Sequence, residues 1–537
     1  MRIRINDIRI SLLKEQSLRE AAAKKLGLRK NALKDVQVLH RAVDARRKQN
    51  VCLLYHVVAE VEDSPALRKK MDGRHGVSLF TPAEPEAPVY GSGELTERPV
   101  VIGAGPAGLV AALELARYGY RPLLLERGKD LAGRVSDVER FWRTGEFNPA
   151  SNVQFGMGGA GTFSDGKLTT RVNDPVMGDI LQSFVDAGAP KEILTEHKPH
   201  VGTDKLRAMV AGLTREIVRL GGEIRCETQV TDFRFEDGKL QGLELGDGSY
   251  LPATVAVLAC GHSARDTYEV LASRKVAMEA KAFAIGLRVE HPQELIDRAQ
   301  YGDFAGHPRL GPADYALVYH TPDRSRAAYS FCMCPGGQVV AAASETGHLV
   351  VNGMSLYHRD SGVANSALVV NVTPEDFGAA PLDGVRFQRQ YEALAFRAGG
   401  GDYRAPAQSV SSFLSGSAPE IIRPLEAMPS YLPGVKACDL KTVLPDYVSG
   451  TLGQALAYFD RRVSGFAGNS GMLTGVETRT SAPVRILRGR DFQSLSHKGL
   501  YPCGEGCGYA GGIMSASLDG YHVARAVMAL YRPFDAR

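Results

Sequence analysis

Apolar and polar positions alternate over the first eighty residues in a way that predicts a small separate module. "RIRINDIRISL", "DVQVLHRAV" and "VCLLYHVVAEV" alternate like strands, whereas "SLREAAAKKLGL" has the spacing of a short helix. Ser17 and Glu20 form a capping-box pattern at the start of this helix, and Gly27 stands where a helix ends. The module is therefore predicted to have the order β-α-β-β.

A segment without periodicity follows the module. Residues 81–97, "TPAEPEAPVYGSGELTE", are rich in Pro, Gly and Glu and are predicted to be a linker. Beyond them the apolar spacing is helical over residues 204–220, and three short strand-like runs fill residues 228–261. A glycine turn and a helix occupy the last thirty residues. This alternation of strands and helices predicts an α/β fold.

Composition excludes several classes of protein. The chain has 537 residues, of which 44% are hydrophobic and 23% charged, which is ordinary for a globular protein of two or three domains. Its eight cysteines are too few for a disulfide scaffold and have no zinc-type spacing. No apolar run approaches a membrane span, and the first residues lack the apolar core of a secretion signal. We expect a cytoplasmic protein that does not bind a membrane.

Charge is concentrated at the start of the chain. Residues 1–75 contain 18 Lys and Arg against 9 Asp and Glu, although the whole chain has a net charge of only +4. This basic surface is either a solvated face that aids solubility or a site for RNA. Tyr55 is the only Phe, Tyr or Trp before Phe80, so stacking residues are scarce and the solvated face is favoured. Charge reversal at Arg46, Arg47 and Lys48 is the test for RNA.

The stretch "VVIGAGPAGLVAALELARYG" has the spacing GxGxxG at Gly103, Gly105 and Gly108. An apolar strand precedes these glycines, a helix with one apolar face follows, and "RPLLLE" is a second strand that ends at Glu126. Gly103 suits the tight turn, Gly105 lets the backbone approach a pyrophosphate, and Gly108 allows close helix–strand packing. Glu126 can accept hydrogen bonds from both ribose hydroxyls, which favours FAD or NAD over NADP.

A second GxGxxG lies at Gly156, Gly158 and Gly161, in "FGMGGAGTFSDGKL". The polar residues after it cannot form a helix with an apolar face, and no second strand ending in an acid follows. The sequence therefore predicts a loop and a single nucleotide site. The loop is either brought close to a flat ligand or exposed as a surface turn.

The C-terminal stretch "GLYPCGEGCGYAGGIMSASLDG" favours FAD over NAD. Two-dinucleotide-fold flavoproteins have a strand ending in Gly-Asp that meets the ribityl chain, and Glu505 stands where that Asp usually stands. The helix that opens at Gly511–Gly512 would then face the flavin pyrimidine. "TVAVLACGHS" resembles the strand that crosses under the cofactor, and "TQVTDF" would place the Val230 backbone beside the adenine.

These stretches resemble the glutathione-reductase-type FAD fold. More closely, the chain is similar to a family of uncharacterised bacterial and plastid FAD-dependent dehydrogenases, through "GAGPAGL", "GGAGTFSDGKL", "SFCMCPGG", "VVNGMS", "ETRTSAPVR", "GEGCGYAGGIMSASLDG" and "VDARRK". The resemblance implies bound FAD and a redox role, and it supplies no substrate. It also implies that Gly159–Lys167 packs near the isoalloxazine ring. Asp165 and Lys167 then present charge near N5 or the N1–C2=O edge, unless both point to solvent.

We therefore predict an α/β protein: a Rossmann-like FAD-binding domain with an inserted mixed α+β domain and a small basic N-terminal module. The predicted boundaries are 1–80 for the module, 81–97 for the linker, 98–282 for the first part of the FAD-binding domain, 283–440 for the substrate domain and 441–537 for the return segment. The predicted cofactor-binding residues are Gly103, Gly105, Pro106, Ala107, Gly108, Glu126, Arg127, Gly161, Thr162, Lys167, Val230, Gly504, Glu505, Gly512 and Ile513.

The predicted function is that of an FAD-dependent oxidoreductase, which transfers hydride between the flavin and a small organic substrate bound against residues 283–440. No catalytic residue and no metal site are assigned. Because a second complete strand–GxGxxG–helix unit is absent, NAD(P)H would dock only transiently, or electrons would come from the substrate itself. The alternative is an RNA-binding flavoprotein that uses the basic module.

Two cysteine pairs are considered as candidates for redox chemistry or metal binding. Cys332 and Cys334 would face the same side of a strand, as a redox pair or, as we favour, as buried thiols. Cys503 and Cys507 flank Glu505 without further metal ligands nearby.

Other polar residues are weaker candidates. His262 is more often a turn or packing residue than a proton carrier. A cluster of charged residues either converges on a carboxylate or phosphate or forms a solvated face; it comprises Glu477, Arg479, Arg485 and Arg488. The remaining pocket candidates are His358, Arg359, Asp360 and Asn365.

Overall fold

The computed structural model describes residues 1–13, 16–71, 73–82 and 87–534. The first elements are β1 (Arg2–Ser11), α1 (Leu18–Leu26), β2 (Leu33–Asp44), β3 (Cys52–Val61), α2 (Pro65–Met71) and β4 (Val77–Leu79). Then come β5 (Val100–Ile102), α3 (Pro106–Arg117), β6 (Leu123–Leu125), α4 (Leu131–Thr144), α5 (Met177–Asp186), α6 (Thr203–Arg219), β7 (Glu223–Arg225), β8 (Val230–Glu236), β9 (Lys239–Leu245), β10 (Tyr250–Pro252), β11 (Ala256–Leu258) and α7 (Arg265–Ser273).

The second half of the chain begins with β12 (Met278–Ala280), β13 (Phe283–Pro292), α8 (Gln293–Tyr301), β14 (Val318–His320), β15 (Ala327–Cys334), β16 (Gly337–Ala341), β17 (Val351–Ser355), β18 (Val363–Val372), α9 (Pro374–Phe377), α10 (Asp383–Gly399), β19 (Ala405–Ser409) and α11 (Val410–Ser415). It ends with β20 (Val435–Ala437), α12 (Asp446–Asp460), β21 (Met472–Glu477), β22 (Val484–Ile486), β23 (Leu500–Pro502) and α13 (Ile513–Met528). No helix in the described part of the chain is long and apolar enough to cross a membrane.

The N-terminal module is a four-stranded antiparallel sheet in the order β2-β3-β1-β4. The isoleucines of β1 alternate inward and pack on α1, whose start carries the predicted capping box of Ser17 and Glu20. Gly27 ends the helix at φ 66°, the left-handed conformation that favours glycine. The short α2 and β4 complete a ferredoxin-like β-α-β-β-α-β order, one helix and one strand more than predicted.

A parallel sheet in the order β23-β11-β5-β6-β7 forms the nucleotide-binding domain. Its strands are short and the central ones are buried on both faces, as parallel sheets require. Helices α3 and α13 pack together so closely that a Cβ on Gly520 would lie 2.1 Å from the Ala107 carbonyl oxygen. Parallel strands share their carboxyl edge, so the segments after β5, β6, β11 and β23 meet there.

The inserted domain is built on a seven-stranded sheet in the order β14-β15-β18-β13-β21-β19-β20. Strand β21 pairs with β13 and β19, and α12 packs into the same core. This unit therefore extends beyond the boundary that we predicted at residue 440. Strand and helix patterns look alike in either domain, and only long-range contacts, the pairing of β21 and the packing of α12, assign residues 441–477 to the insert.

The second half of the predicted linker contacts the body of the protein. The Gly91 and Gly93 N–H groups donate to the carbonyls of Met528 and Leu530, at 2.8 and 3.0 Å. Residues 83–86 of the linker lie outside the described residues. The module itself is docked through Arg41, whose guanidinium lies 2.7 Å from the Glu196 carboxylate.

Candidate cofactor and substrate site

A cleft of about 540 Å³ lies at the carboxyl edge of the parallel sheet. We call it the central cleft. It is bordered by the first glycine string (residues 103–108), the second glycine string (156–161), the C-terminal glycine turn (503–512) and residues of β15, β17 and β21. Glu126 and Glu505, far apart in sequence, both line it.

Most of the predicted cofactor-binding residues line the central cleft. They are Gly103, Gly105, Pro106, Ala107, Glu126, Arg127, Gly161, Lys167, Val230, Gly504, Glu505, Gly512 and Ile513. Gly108 does not line it, because a Cβ there would lie 1.9 Å from the Gly103 carbonyl oxygen, inside the helix–strand contact. Thr162 is also outside the lining and is buried below the second glycine string.

The first glycine string forms the tight turn between β5 and α3. Gly103 has φ 102°, and a Cβ there would lie 2.4 Å from the Ala259 carbonyl oxygen, so only glycine fits. Gly105 precedes the first turn of α3, and no side chain caps that helix. The first N–H groups of α3 are thus open to an anion in the cleft, where the helix dipole favours negative charge.

The Glu126 carboxylate joins the two glycine strings. Its Oε2 accepts a hydrogen bond from the Ala104 N–H at 2.9 Å. Its Oε1 accepts from the N–H groups of Gly128 and Gly156, both also at 2.9 Å. The carboxylate predicted to bind ribose is therefore fixed by three backbone donors while it borders the cleft.

The second glycine string is a loop with one 3₁₀ turn at Ala160–Phe163, as its polar sequence predicted. It is stacked on the first string: a Cβ at Gly159 would lie 2.7 Å from the Gly105 Cα. The Gly158 N–H donates to the Ala104 carbonyl at 2.9 Å. Residues 151–158 are buried, so the surface-turn interpretation is wrong for this part of the loop.

The Arg134 guanidinium, which the sequence analysis missed, holds the second glycine string from below. It is fully buried on α4 and donates to the carbonyls of Asn152, Val153 and Met157, at 2.8 to 2.9 Å. Burial lowers its pKa to about 9. An arginine in an amphipathic helix gives no local signal of such a role.

Asp165 and Lys167 form a fixed ion cluster with Arg359 at one side of the cleft. The Asp165 carboxylate accepts from Arg359 Nε and Nη2, at 2.9 and 2.7 Å, and lies 3.0 Å from Lys167 Nζ. Burial raises the pKa of Asp165, but Lys167 and Arg359 outweigh it and hold that pKa well below its usual range. Lys167 also donates to the Met333 carbonyl, so its ammonium group is held at the cleft and does not extend into bulk solvent.

The C-terminal glycine turn is positioned by Asp519 on α13. The Asp519 carboxylate accepts from the Gly504 N–H at 2.7 Å and from both terminal nitrogens of Arg488, at 2.9 and 2.6 Å. Glu505 follows within this turn and lines the cleft. Its burial raises its pKa to about 7, while Lys281 and the Gly512 N–H act in the opposite direction.

The Arg288 guanidinium lies behind the part of the cleft that Cys332, Asn352 and Glu477 border. It is fully buried and donates to both oxygens of Glu477, at 2.8 and 3.2 Å. It also donates to the side-chain oxygens of Asn352 and Asn365 and to the Cys332 carbonyl, at 2.8 to 3.1 Å. One arginine therefore fixes three residues that border the cleft. In the sequence, a charged residue inside the largely apolar run "FAIGLRVEHP" could have indicated that Arg288 has a buried structural role.

Cys332 and Cys334 do not lie side by side as on a regular strand. The register of β15 against β18 shifts between Phe331 and Cys334, which marks a bulge. Cys332 has φ 44° and is exposed at the cleft, whereas Cys334 is buried; both are free thiols. Burial raises the pKa of Cys334, and the enclosed cleft raises that of Cys332 to about 11.

The predicted arginine cluster does not converge on one point. Arg479 borders the cleft, but Glu392 binds it at 3.0 and 2.8 Å, and Arg265 shares that carboxylate. Arg488 forms an ion pair with Asp519, and Arg485 pairs with Glu279 at 3.5 Å on the surface. Only Arg485 lies on β22, with Arg479 before the strand and Arg488 after it, and each of the three pairs with a different carboxylate, which spacing alone could not indicate.

Of the other polar candidates, some line the cleft and some do not. His262 lines the cleft, and its burial, with Arg479 and Arg265 nearby, lowers its pKa to about 3, so it stays neutral. His358 and Asp360 are exposed and do not line the cleft.

Comparison with known proteins agrees with this geometry. Residues 282–480 match the sequence profile of a family described as "FAD-dependent protein, C-terminal domain-like". Residues 101–167 match "NAD(P)-binding Rossmann-like domain", and residues 2–60 match a domain of unknown function. An uncharacterized protein of Clostridium beijerinckii is 47% identical over 530 residues, which cover 98% of this chain and 99% of that protein. The chain belongs to this family of FAD-dependent proteins.

Solved flavoprotein structures are more distant from this FAD-dependent protein. A glycine oxidase from Bacillus cereus ATCC 14579 has 11% identity and a TM-score of 0.31, and covers 80% of this chain and 94% of its own. An L-proline dehydrogenase from P. horikoshii has 11% identity and a TM-score of 0.34, and covers 82% of this chain and 94% of its own. The predicted α/β fold, the family resemblance and FAD as cofactor are confirmed. Nothing among these matches supports NAD(P)H or nucleic acid as a partner.

The residues present suit FAD. A Cβ on Gly105 would meet no protein atom closer than 3.8 Å, and one on Gly511 or Gly512 would meet none within 4 Å. These glycines therefore leave open space where a cofactor needs close backbone approach. In this FAD-dependent protein the first N–H groups of α3 would hold the phosphates of FAD, Glu126 its ribose and Glu505 its ribityl hydroxyls.

Glu505→Gln should change how the stability of the FAD-free protein depends on pH. The folded-state pKa of about 7 lies above the ordinary 4.5, so folding retains a proton that the unfolded chain has released. Wild-type stability should fall relative to the variant as pH rises from about 4.5 to about 7, and the difference should stay constant above that. Urea unfolding of both proteins from pH 4 to 8.5 measures this difference, and a pH-independent difference contradicts the raised pKa.

Proposed function

We propose that this chain is an oxidoreductase whose FAD exchanges hydride with a small organic molecule bound in the central cleft. The observation that carries the proposal is that Glu126, Glu505 and residues of β15, β17 and β21 border one continuous space. A cofactor held by the two acids would thus lie against the inserted domain. Small-molecule sites commonly lie at such junctions between domains.

In this proposal the residues of the cleft bind the cofactor and place charge beside it. FAD, when bound, supplies the ring that accepts or gives hydride. Gly105 and the start of α3 bind its phosphates, while Glu126 and Glu505 bind its sugar and polyol hydroxyls. Lys167, fixed by Asp165 and the Met333 carbonyl, places a permanent positive charge at the cleft, where it stabilises added negative charge.

Lys167→Met should make the bound flavin harder to reduce. Removing a fixed cation destabilises the more negative, reduced state, and we expect the two-electron midpoint potential to fall by about 30 mV or more, which corresponds to about 1.4 kcal/mol. Spectroelectrochemical titration of wild-type and variant FAD-loaded proteins measures this shift. Lys205→Met, an exposed lysine on α6, removes the same charge outside the cleft and should leave the potential unchanged.

The test of the proposed function begins with the purified protein. Its visible spectrum and mass spectrometry should show FAD, and anaerobic mixing with NADH, NADPH and a panel of metabolites should identify which of them bleaches the flavin. The rate of reoxidation in air then distinguishes a dehydrogenase from an oxidase. A protein that carries no FAD and binds none when it is added would overturn the proposal.

The RNA-binding alternative has no specific observation in its favour. Arg46 pairs with Asp44 at 2.7 Å, and Arg41 faces the body of the protein. The aromatic residues that would stack on bases are as scarce on the sheet as in the sequence.

A further inference from the structure

The ion cluster at the cleft contains more positive than negative charge. Lys167 and Arg359 share the single carboxylate of Asp165, and no other carboxylate among the described residues pairs with either cation. The Asp165 side chain is 3% exposed, Arg359 14% and Lys167 27%. One positive charge is therefore left over in a mostly enclosed position, where an unpaired charge is costly.

No neighbouring group removes this excess charge. The Cys332 and Cys334 thiols close to Lys167 have raised pKa values and stay neutral at neutral pH. The remaining carboxylates of this half of the cleft are already paired: Glu477 with Arg288 at 2.8 Å and Asp314 with Lys198 at 2.7 Å.

Two further groups add hydrogen-bond donors and charge. The Asn352 side-chain oxygen accepts from Arg288 and from the Gly353 N–H, so its amide nitrogen is the atom left for a ligand. Asn352 borders the cleft. Arg171 also borders it, is exposed, and has no polar partner in the described part of the chain. Ammonium and amide donors together suit a carboxylate oxygen pair.

We propose that the substrate of this site is a small organic acid whose carboxylate is bound by Lys167, with Asn352 as the second donor and Arg171 at the rim. The inference rests on the proposed function, since it names the class of molecule that the cleft would present to the flavin. The carboxylate supplies the negative charge that the cluster of Asp165, Lys167 and Arg359 lacks. Glu477 and Asp314 remain neutralised by their own partners.

The experiment titrates FAD-loaded protein with sodium benzoate and, separately, with benzamide, its neutral analogue of the same size, at constant ionic strength in KCl. Binding is measured by the change in the flavin visible spectrum and by calorimetry. Benzoate should bind at least about tenfold more tightly than benzamide, as one charge-assisted contact predicts. Lys167→Met should reduce benzoate affinity by about tenfold and leave benzamide unchanged. Lys205→Met should behave as the wild type.

Each outcome is decisive. Equal binding of benzoate and benzamide, binding of neither, or an equal effect of Lys167→Met and Lys205→Met would overturn the inference while the flavin still supports an oxidoreductase. Asp165 keeps Arg359 as its partner in Lys167→Met, so this variant should fold; its flavin content and unfolding curve check that. If the protein binds no FAD, the proposed function fails, and calorimetry still measures the preference for the anion.

Discussion

Gly105→Val should abolish FAD retention while leaving the FAD-free protein as stable as the wild type. Gly105 has an extended backbone that any residue can adopt, and the nearest protein atom to an added Cβ is 3.8 Å away. The valine side chain would instead occupy the space that the cofactor phosphates need in front of α3. We expect affinity for FAD to fall by about a hundredfold or more, equivalent to about 2.7 kcal/mol.

Flavin fluorescence titration and urea unfolding of the FAD-free proteins measure the two halves of this result. Gly450→Val is the matched control, because Gly450 is exposed on α12 and nothing lies within 4 Å of its added Cβ. It should bind FAD like the wild type. Normal FAD binding by Gly105→Val would show that the phosphates lie elsewhere, and an unfolded Gly105→Val would show that the turn has no spare room.

The second large effect is expected from Arg288→Met. The substitution leaves Glu477 buried without its cation and removes a hydrogen-bond donor from the side-chain oxygens of Asn352 and Asn365. Removing one partner of a buried ion pair costs about 3–5 kcal/mol, because the remaining charge is uncompensated. Urea unfolding of the FAD-free variant should show this loss of stability.

Two companion variants separate this effect from the loss of any arginine. Arg298→Met removes one partner of the exposed Arg298–Glu294 pair on α8, where the cost should be below about 1 kcal/mol. The double variant Arg288→Met with Glu477→Met removes both buried charges and should recover much of the lost stability. A double variant as unstable as Arg288→Met alone would indicate that packing, and not charge, is responsible.

Features set by neighbouring residues could be predicted from the sequence. The capping box of α1 depends on Ser17 and Glu20 alone, and the turn between β5 and α3 depends on glycines within six residues. The second glycine string could be predicted as a loop for the same reason, since its polar residues exclude an amphipathic helix.

Features that depend on distant pairing could not be predicted. The assignment of β21 to the inserted sheet, the Ala104 and Gly156 amides bound by Glu126 and the five atoms bound by Arg288 all join segments far apart in the chain. The bulge that separates Cys332 from Cys334 could not be predicted either, because the expectation that both face the same side assumes a regular strand.

The neighbourhood of β11 in the parallel sheet has a consequence for folding. Its two neighbours, β5 and β23, lie on opposite sides of the inserted domain in the sequence. The side of the cleft that carries Glu505 therefore forms only when β23 pairs with β11 across the whole inserted domain. Until that pairing is made, Glu126 and Glu505 do not border a common cleft, so a complete cofactor site requires it. Such long-range closure also makes folding slow compared with that of locally connected proteins.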